Sequence, residues 1–147
     1  MASKRDAIIA TIAANLNGGS KPSGLTVHRQ RTLPIASDVL PAQVVYAISE
    51  EVDTGPGRSN FARKAKRKVT IAVESRVDGG TSPDATLDPL LSWAVQTICA
   101  DPTMGDTVED CKEIGTTWAQ VDADQMYGAA RTDFEITYFT SAADPDA

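Results

Sequence analysis

The sequence predicts an α+β fold, a two-layer sandwich in which two amphipathic helices cover one face of a mostly antiparallel sheet of four to five strands. Two segments place apolar residues three and four positions apart, as helices with one buried side do. Other segments alternate apolar and polar residues, as strands with one buried face do. At 147 residues the chain suits one domain, 1–147, able to bury a core without disulfides or metals.

The first helix is predicted from Ser3 to Leu16, with Ile8, Ile9 and Ile12 on its apolar side. Ser3 and Asp6 have the spacing of a capping box with a shorter acid. Gly18 and Gly19 end the helix. Residues 25–30 alternate weakly and predict only a short strand.

Two stronger strands are predicted next. Residues 42–52 are rich in β-branched and aromatic side chains. Residues 61–77 alternate, with Val69, Ile71 and Val73 on one face. Between them, DTGPGRSN (53–60) combines Gly, Pro and small polar residues, and we expect a mobile loop there.

The second helix lies within Ser82–Pro102, where six residues form one apolar stripe: Leu87, Leu90, Leu91, Ala94, Val95 and Ile98. We predict Thr86 as its N-cap and a start near Leu87, because an earlier start places Pro89 inside the helix at a cost of about 3 kcal/mol. Pro102 predicts an end near Ala100.

Two further strands are predicted at 114–121 and 132–140, with Phe134, Ile136 and Tyr138 sharing a face. The stretch MGDTVEDCKE before them is too polar for a core segment, although Met104 and Val108 can anchor a turn. We expect the tail, 141–147, to be disordered.

No arrangement of residues predicts an enzyme. His28 is the single histidine, and there is no Gly-rich phosphate loop, no GxSxG and no nucleophile beside a base. Cys99 and Cys111 are too far apart in sequence for a metal or redox pair, and we expect reduced, intracellular thiols. No apolar run approaches the ~18 residues of a membrane span. We therefore expect a soluble protein with no cofactor.

The charge is unevenly distributed. Residues 1–71 carry eleven basic and five acidic residues, a net +6, whereas residues 72–147 carry three and fifteen, a net −12. Copies of such a chain could dock head to tail, basic surface on acidic surface, or the fold could intermix both halves. The acidic residues lack the pattern of a calcium loop, so they indicate a solvated face or the acidic side of a subunit interface: Asp106, Glu109, Asp110, Asp122 and Asp124.

The clearest local signal is RSNFARKAKRK (58–68), in which six of eleven residues are basic. It could contact an acidic protein surface, be the solvated start of an edge strand, or bind a phosphate backbone. Protein contact is favoured over nucleic acid because only one aromatic residue interleaves with the charges. The expected contact residues, to a partner or a neighbouring subunit, are Arg58, Phe61, Arg63, Lys64, Lys66, Arg67 and Lys68. Reversing Arg63, Lys64, Arg67 and Lys68 to glutamate is expected to leave the fold intact, because positions near a strand start can be exposed.

Four stretches resemble the tail-terminator family of long-tailed bacteriophages, the minor tail U-like proteins. They are RDAIIATIAANL, LPAQVVYAISEEV, VTIAVESRVDGGTSPDATLDPLLSWAVQTI and TDFEITYF, and the similarity in layout covers nearly the whole chain. The linker around residues 17–24 and the basic segment 58–68 depart from that pattern.

The resemblance implies a non-enzymatic virion protein, assembled in the host cytoplasm and located at the tail or neck. It would form a ring, a hexamer, on the head-proximal end of the tail tube and stop tube growth. Its implied partners are the major tail tube protein and a head connector or head-completion protein, while DNA passes through the ring without sequence-specific contact. The alternatives are another head–tail joining or tube protein, and a nucleic-acid-binding domain that uses segment 58–68.

Overall fold

The computed structural model describes residues 3–29, 41–53, 64–78, 83–120 and 127–141. Seven elements follow in order: helix α1 (Lys4–Leu16), strands β1 (Thr26–Arg29), β2 (Ala42–Asp53) and β3 (Lys64–Asp78), helix α2 (Pro83–Cys99), and strands β4 (Asp110–Gln120) and β5 (Tyr127–Ser141). The strands form one sheet in the order β1-β2-β3-β5-β4. Only the β1–β2 pair is parallel, and the other pairs are antiparallel.

Both helices pack on the same face of this sheet, which confirms the predicted α+β sandwich. On that face Val73 pairs with Val45, Ile71 with Phe134, and Val69 with Ile136. These side chains form one core with the apolar side of α1 and with Ala94 and Ile98 of α2. A second, smaller cluster joins Leu87, Leu90 and Leu91 of α2 to Leu25, Val77 and Ala130.

Polar contacts fix the two helices in place. The Ser3 hydroxyl accepts from the Asp6 amide at 3.1 Å, which confirms Ser3 as the N-cap of α1. The Asp6 carboxylate pairs with Arg29 of β1 at 2.5 Å and thereby ties the helix to the sheet edge. At the other end, the Trp93 indole donates to the Leu16 carbonyl at 3.0 Å and satisfies one of the free carbonyls of the last turn.

A buried glutamine joins α2 to the sheet. The Gln43 amide, fully buried on β2, donates to Ser75 Oγ at 3.1 Å and to the Leu90 carbonyl at 3.0 Å. Both bonds compensate for removing a polar group from water.

The predicted start of α2 is wrong. The helix begins at Pro83, so Thr86 lies within the helix and is not its N-cap, and Pro89 is an internal residue. Proline is favourable at the first helical position, where its missing amide costs nothing. Pro89 removes the amide that would bond the Ala85 carbonyl, and its own side chain is exposed. The end at Cys99 lies one residue before the predicted one.

Strands β4 and β5 begin earlier than predicted. β4 starts at Asp110 because an edge strand can expose polar side chains while Cys111 enters the core opposite Ile136. β5 starts at Tyr127, and Gly128, Ala129 and Ala130 are buried there. The predicted shared face of Phe134, Ile136 and Tyr138 is confirmed, because all three are buried in one core. Asp53 of the predicted mobile loop 53–60 is the last residue of β2, and Ser141 of the predicted disordered tail 141–147 is the last residue of β5. The rest of the loop and of the tail lies outside the described residues.

The sheet face opposite the helices carries charged side chains. Among the described residues it shows three ion pairs, Glu74 with Arg76, Asp133 with Arg131, and Glu135 with Lys112, at 2.5, 3.0 and 3.6 Å. No described helix covers this face, in keeping with an antiparallel sheet that is wet on one side.

Candidate interaction surfaces

The described part of the basic segment is the beginning of β3. Lys64, Lys66 and Lys68 lie on the charged face of the sheet, in phase with Glu74 and opposite to the core residues Val69 and Ile71. Lys64 and Lys66 are exposed, and Lys68 is half-buried. Arg58, Phe61 and Arg63, which belong to the same predicted contact, lie outside the described residues.

Acidic residues of β2 face these lysines. Asp53 pairs directly across from Lys66, and Glu51 directly across from Lys68. With Val52, these four residues line a shallow depression of about 190 Å3. Opposite charges on facing positions of an antiparallel pair attract. Residues 41–53 and 64–78 together carry five basic and five acidic residues, so the pair of strands has no net charge.

The interpretation of the lysines as the start of an edge strand is wrong. β3 lies between β2 and β5 and pairs with both of them over most of its length. Lysines that protect a free edge would be needed on β1 or β4 instead. The lysines of β3 therefore form part of a sheet face.

The expected exposure of Arg67 is also wrong. Arg67 lies in phase with Val69 and Ile71 on the helix-covered face, and its side chain is 12% exposed. Its guanidinium donates to Thr140 Oγ1 at 2.8 Å and lies 3.3 Å from the Glu50 carboxylate. An arginine bound in this way stabilises the fold and is not available to a partner.

Glu50 is the centre of a polar cluster at this end of the core. Its carboxylate, 13% exposed, contacts Arg67 and Arg5, the latter at 3.2 Å, and accepts a hydrogen bond from the Tyr138 hydroxyl. Burial, and then the bond to Glu50, raises the pKa of Tyr138 to about 12. The cluster joins α1, β2, β3 and β5 at one end of the sandwich.

The described residues of the predicted acidic interface lie around the start of β4. Asp106 and Glu109 are exposed in the loop before the strand, and Asp110 is its exposed first residue. Asp122 and Asp124 lie outside the described residues. The loop is held by Asp101, whose carboxylate accepts from the Gly105 amide at 2.8 Å and from the Thr103 hydroxyl at 3.1 Å.

Two exposed acidic residues of this region were not predicted as part of it, Asp101 and Glu113. With them, residues 101–113 carry five acidic residues and one lysine, a net −4. The sequence showed a dense acidic run there, but only the strand pairing places Glu113 beside it at the sheet edge.

The segment that contains α1 and β1 is basic. Residues 3–29, which contain α1 and β1, carry four basic residues and one acidic residue, a net +3. β1 is the last strand on one side of the sheet, and α1 packs on β1 and β2. β4 is the last strand on the other side, but the start of α1 reaches beyond β1 and β2: Lys4 Nζ donates to the Phe139 carbonyl of β5 at 3.1 Å, and Arg5 pairs with Glu50.

The thiols and the histidine show no arrangement typical of catalysis. Burial raises the pKa of the Cys111 thiol to about 12, and burial likewise raises the pKa of Cys99. Both thiols are therefore protonated and poor nucleophiles at neutral pH. The His28 ring shares a hydrogen bond with the Thr26 hydroxyl at 3.1 Å. Within the described ranges no group of three or more His, Cys, Asp or Glu residues could hold a metal ion.

No described helix is long and apolar enough to cross a membrane. No protein-family model matches this chain, and no curated protein is significantly similar to it.

Proposed function

We propose that the protein is a structural virion protein of the tail-terminator kind. It forms a ring, a hexamer, on the head-proximal end of a phage tail tube, stops tube polymerisation and offers a surface to the head connector or head-completion protein. It is assembled in the host cytoplasm and resides at the tail or neck of the virion. DNA passes through the ring without sequence-specific contact.

The observation that carries this proposal is the uneven distribution of charge. Residues 101–113, around the start of the edge strand β4, carry a net −4, whereas residues 3–29, with α1 and β1, carry a net +3. Different surfaces that complement each other produce head-to-tail contacts, and such contacts close into rings when the rotation between subunits allows it. The order of elements that suggested the family, one helix, three strands, one helix and two strands, also agrees with the observed fold.

The contact to the tail tube is proposed for the lysines of β3, Lys64, Lys66 and Lys68, together with Arg58, Phe61 and Arg63 of the preceding segment. Arg67 is excluded from this contact because its guanidinium is engaged with Glu50 and Thr140. Glu51 and Asp53 reduce the local positive charge, which favours a protein partner over the phosphate backbone of a nucleic acid.

Electron microscopy of the purified protein tests the proposal. We expect closed six-fold rings at low salt and fewer rings as salt rises, because exposed charges are screened over ~8 Å at physiological ionic strength. Sedimentation across a salt series measures the same change. Growing tubes would indicate a tube subunit instead, and assembly that tightens with salt would indicate an apolar interface. A protein that stays monomeric at every concentration would refute the ring.

The tube contact is tested separately with a triple variant, Lys64→Glu, Lys66→Glu and Lys68→Glu, in which Arg67 is kept. We expect rings that no longer cap tubes, and tails that grow overlong. A matched triple glutamine variant distinguishes lost attraction from added repulsion. Tubes of normal length with both variants would place the contact elsewhere. Loss of salt-sensitive DNA binding with capping retained would assign the lysines to the genome.

A further inference from the structure

The end of α1 places an exposed asparagine directly before a glycine. Asn17 is the C-cap of the helix, with φ −86° and ψ 13°, and Gly18 and Gly19 follow it. Of the three asparagines in the sequence, only Asn17 precedes a glycine. A glycine has no Cβ, so its backbone nitrogen can approach other atoms closely. Attack of this nitrogen on the side chain of the preceding residue is therefore least hindered at Asn17.

The turn that ends α1 needs this glycine. A Cβ at position 18 would lie 3.0 Å from the Asn15 carbonyl oxygen, too close for a backbone oxygen that cannot move aside. The Gly18 amide donates to the same carbonyl at 3.1 Å. The residue that leaves Asn17 open to attack is therefore required by the local backbone.

Lys21 binds the oxygen on which charge develops when the Asn17 side chain is attacked. The Lys21 amide donates to the Gly18 carbonyl at 3.1 Å, which closes a turn over residues 18–21. The Lys21 ammonium donates to Asn17 Oδ1 at 2.6 Å. Attack on Cγ moves negative charge onto Oδ1, and a donor already in place on that oxygen stabilises the charge, as the donors of an oxyanion hole do. The donor here is itself charged, which strengthens the bond further.

We propose that Asn17 is a site of spontaneous deamidation and that Lys21 accelerates the reaction. The Gly18 nitrogen forms a bond to Cγ of Asn17, and the bond from Cγ to the side-chain nitrogen breaks. The proton that the Gly18 nitrogen loses is balanced by the one that the departing ammonia gains. Water then opens the five-membered imide at one of its two carbonyls and leaves aspartate or isoaspartate at position 17. Water is the only co-reactant.

The reaction requires a local opening of the helix end. The Gly18 amide must leave the Asn15 carbonyl, and the backbone of Asn17 must rotate away from its ψ of 13° to bring the nitrogen against Cγ. Asn15 and Asn17 are both exposed, and the bond lies at the terminus of the helix. Exposed hydrogen bonds at element ends open at a low free energy, so the fold allows this step without global unfolding.

Deamidation changes both the charge and the backbone at the end of α1. A carboxylate at position 17 lies at the negative end of the helix dipole, and the net charge of residues 3–29 falls from +3 to +2. Isoaspartate also adds a methylene group to the main chain directly after Leu16, whose carbonyl accepts from the Trp93 indole. The modification therefore acts on the contact between α1 and α2.

Peptide mapping by mass spectrometry tests the proposal. The folded full chain is incubated at mildly alkaline pH beside Lys21→Met, and both are also incubated in urea. We expect folded wild-type protein to deamidate at Asn17 about threefold or more faster than folded Lys21→Met, and the two to react equally fast in urea. Lys64→Met is the matched control, because it removes an ammonium from the sheet face opposite the helices. Asn15, which precedes Leu16, is the internal control, and circular dichroism verifies folding.

The results separate the site from the role of the lysine. A faster reaction of the wild type that is confined to the folded state, with Lys64→Met unchanged, supports both. Equal rates in the folded state, or a faster reaction of Lys21→Met, would show that the hydrogen bond does not activate Asn17. The same difference in urea would assign the effect to the nearby charge and not to the folded geometry. If Asn17 converts in urea but stays intact in the folded wild type, the site itself is wrong.

Discussion

Replacing Arg67 by glutamate should damage the fold, although the sequence places this residue in an apparently exposed basic run. Arg67 and Glu50 lie 3.3 Å apart with side chains only 12% and 13% exposed. Arg67→Glu removes the guanidinium and places a second carboxylate beside the first, in a site that excludes most water. The fold would have to open around the pair or protonate one of the acids.

The magnitude follows from this geometry. Two unit charges 3.3 Å apart interact by about 5 kcal/mol at an effective dielectric of about 20. Arg5 and Tyr138 still contact Glu50 in the variant and compensate part of the loss. We expect a net destabilisation of about 3–5 kcal/mol, the usual range when one partner of a buried pair is lost. That is a large fraction of the ~5–15 kcal/mol that holds a domain together.

Urea denaturation followed by circular dichroism measures the effect, and the neighbouring residue supplies the control. Lys68→Glu makes the same change of charge on the opposite face, across from Glu51, and should cost about 0–1 kcal/mol. Arg67→Met, which keeps the apolar stem, should fall between the two. If Arg67→Glu costs no more than Lys68→Glu, the Glu50 cluster does not stabilise the fold.

Three further predictions concern the core. Leu91→Ala should cost about 2–3 kcal/mol in a thermal or urea melt, at the low end of the usual range because Leu91 is 8% exposed, whereas Ser92→Ala on the exposed side should be silent. Stability should fall as pH rises from about 10 to about 12, because Tyr138 in the folded protein keeps its proton up to about pH 12, whereas in the unfolded chain it loses the proton near pH 10. Tyr138→Phe should remove that fall. If the variant and the wild type lose stability equally over this pH range, the raised pKa of Tyr138 is contradicted. At pH 8 a soluble alkylating reagent should modify the native Cys111 far more slowly than the same thiol in urea, and equal rates would show that Cys111 is accessible.

Periodic apolar residues were sufficient to predict the core. In a strand, residues two positions apart lie on one face, as Val69, Ile71 and Val73 do. The apolar stripe of α2 likewise lies on one side of the helix. Both placements follow from the local spacing alone and do not depend on the elements packed against them. The same alternation predicts that Arg67 lies on the buried face of the strand, because it is in phase with Val69. The density of positive charge in 58–68 suggested exposure, but the phase of the strand places Arg67 on the buried face.

Other features depend on contacts that no local pattern contains. The early start of β4 requires β5 as a partner, because only the pairing of Cys111 with Ile136 makes a polar stretch a strand. Residues Trp118 and Ile114 were predicted to lie on a strand, but their position at a free edge depends on the strand order β1-β2-β3-β5-β4. Strand order is set by long-range packing, and a single sequence does not display it.

The strand order also decides which charges act between molecules. In the sequence, the lysines of 64–68 are the densest positive charge, yet in the fold β2 places Glu51 and Asp53 across from Lys68 and Lys66, and the two strands together are neutral. The surplus charge is left outside these two strands, positive in 3–29 and negative in 101–113. An interface driven by charge should therefore involve residues 3–29 and 101–113, and lysines already facing acids should contribute less to assembly than their number suggests.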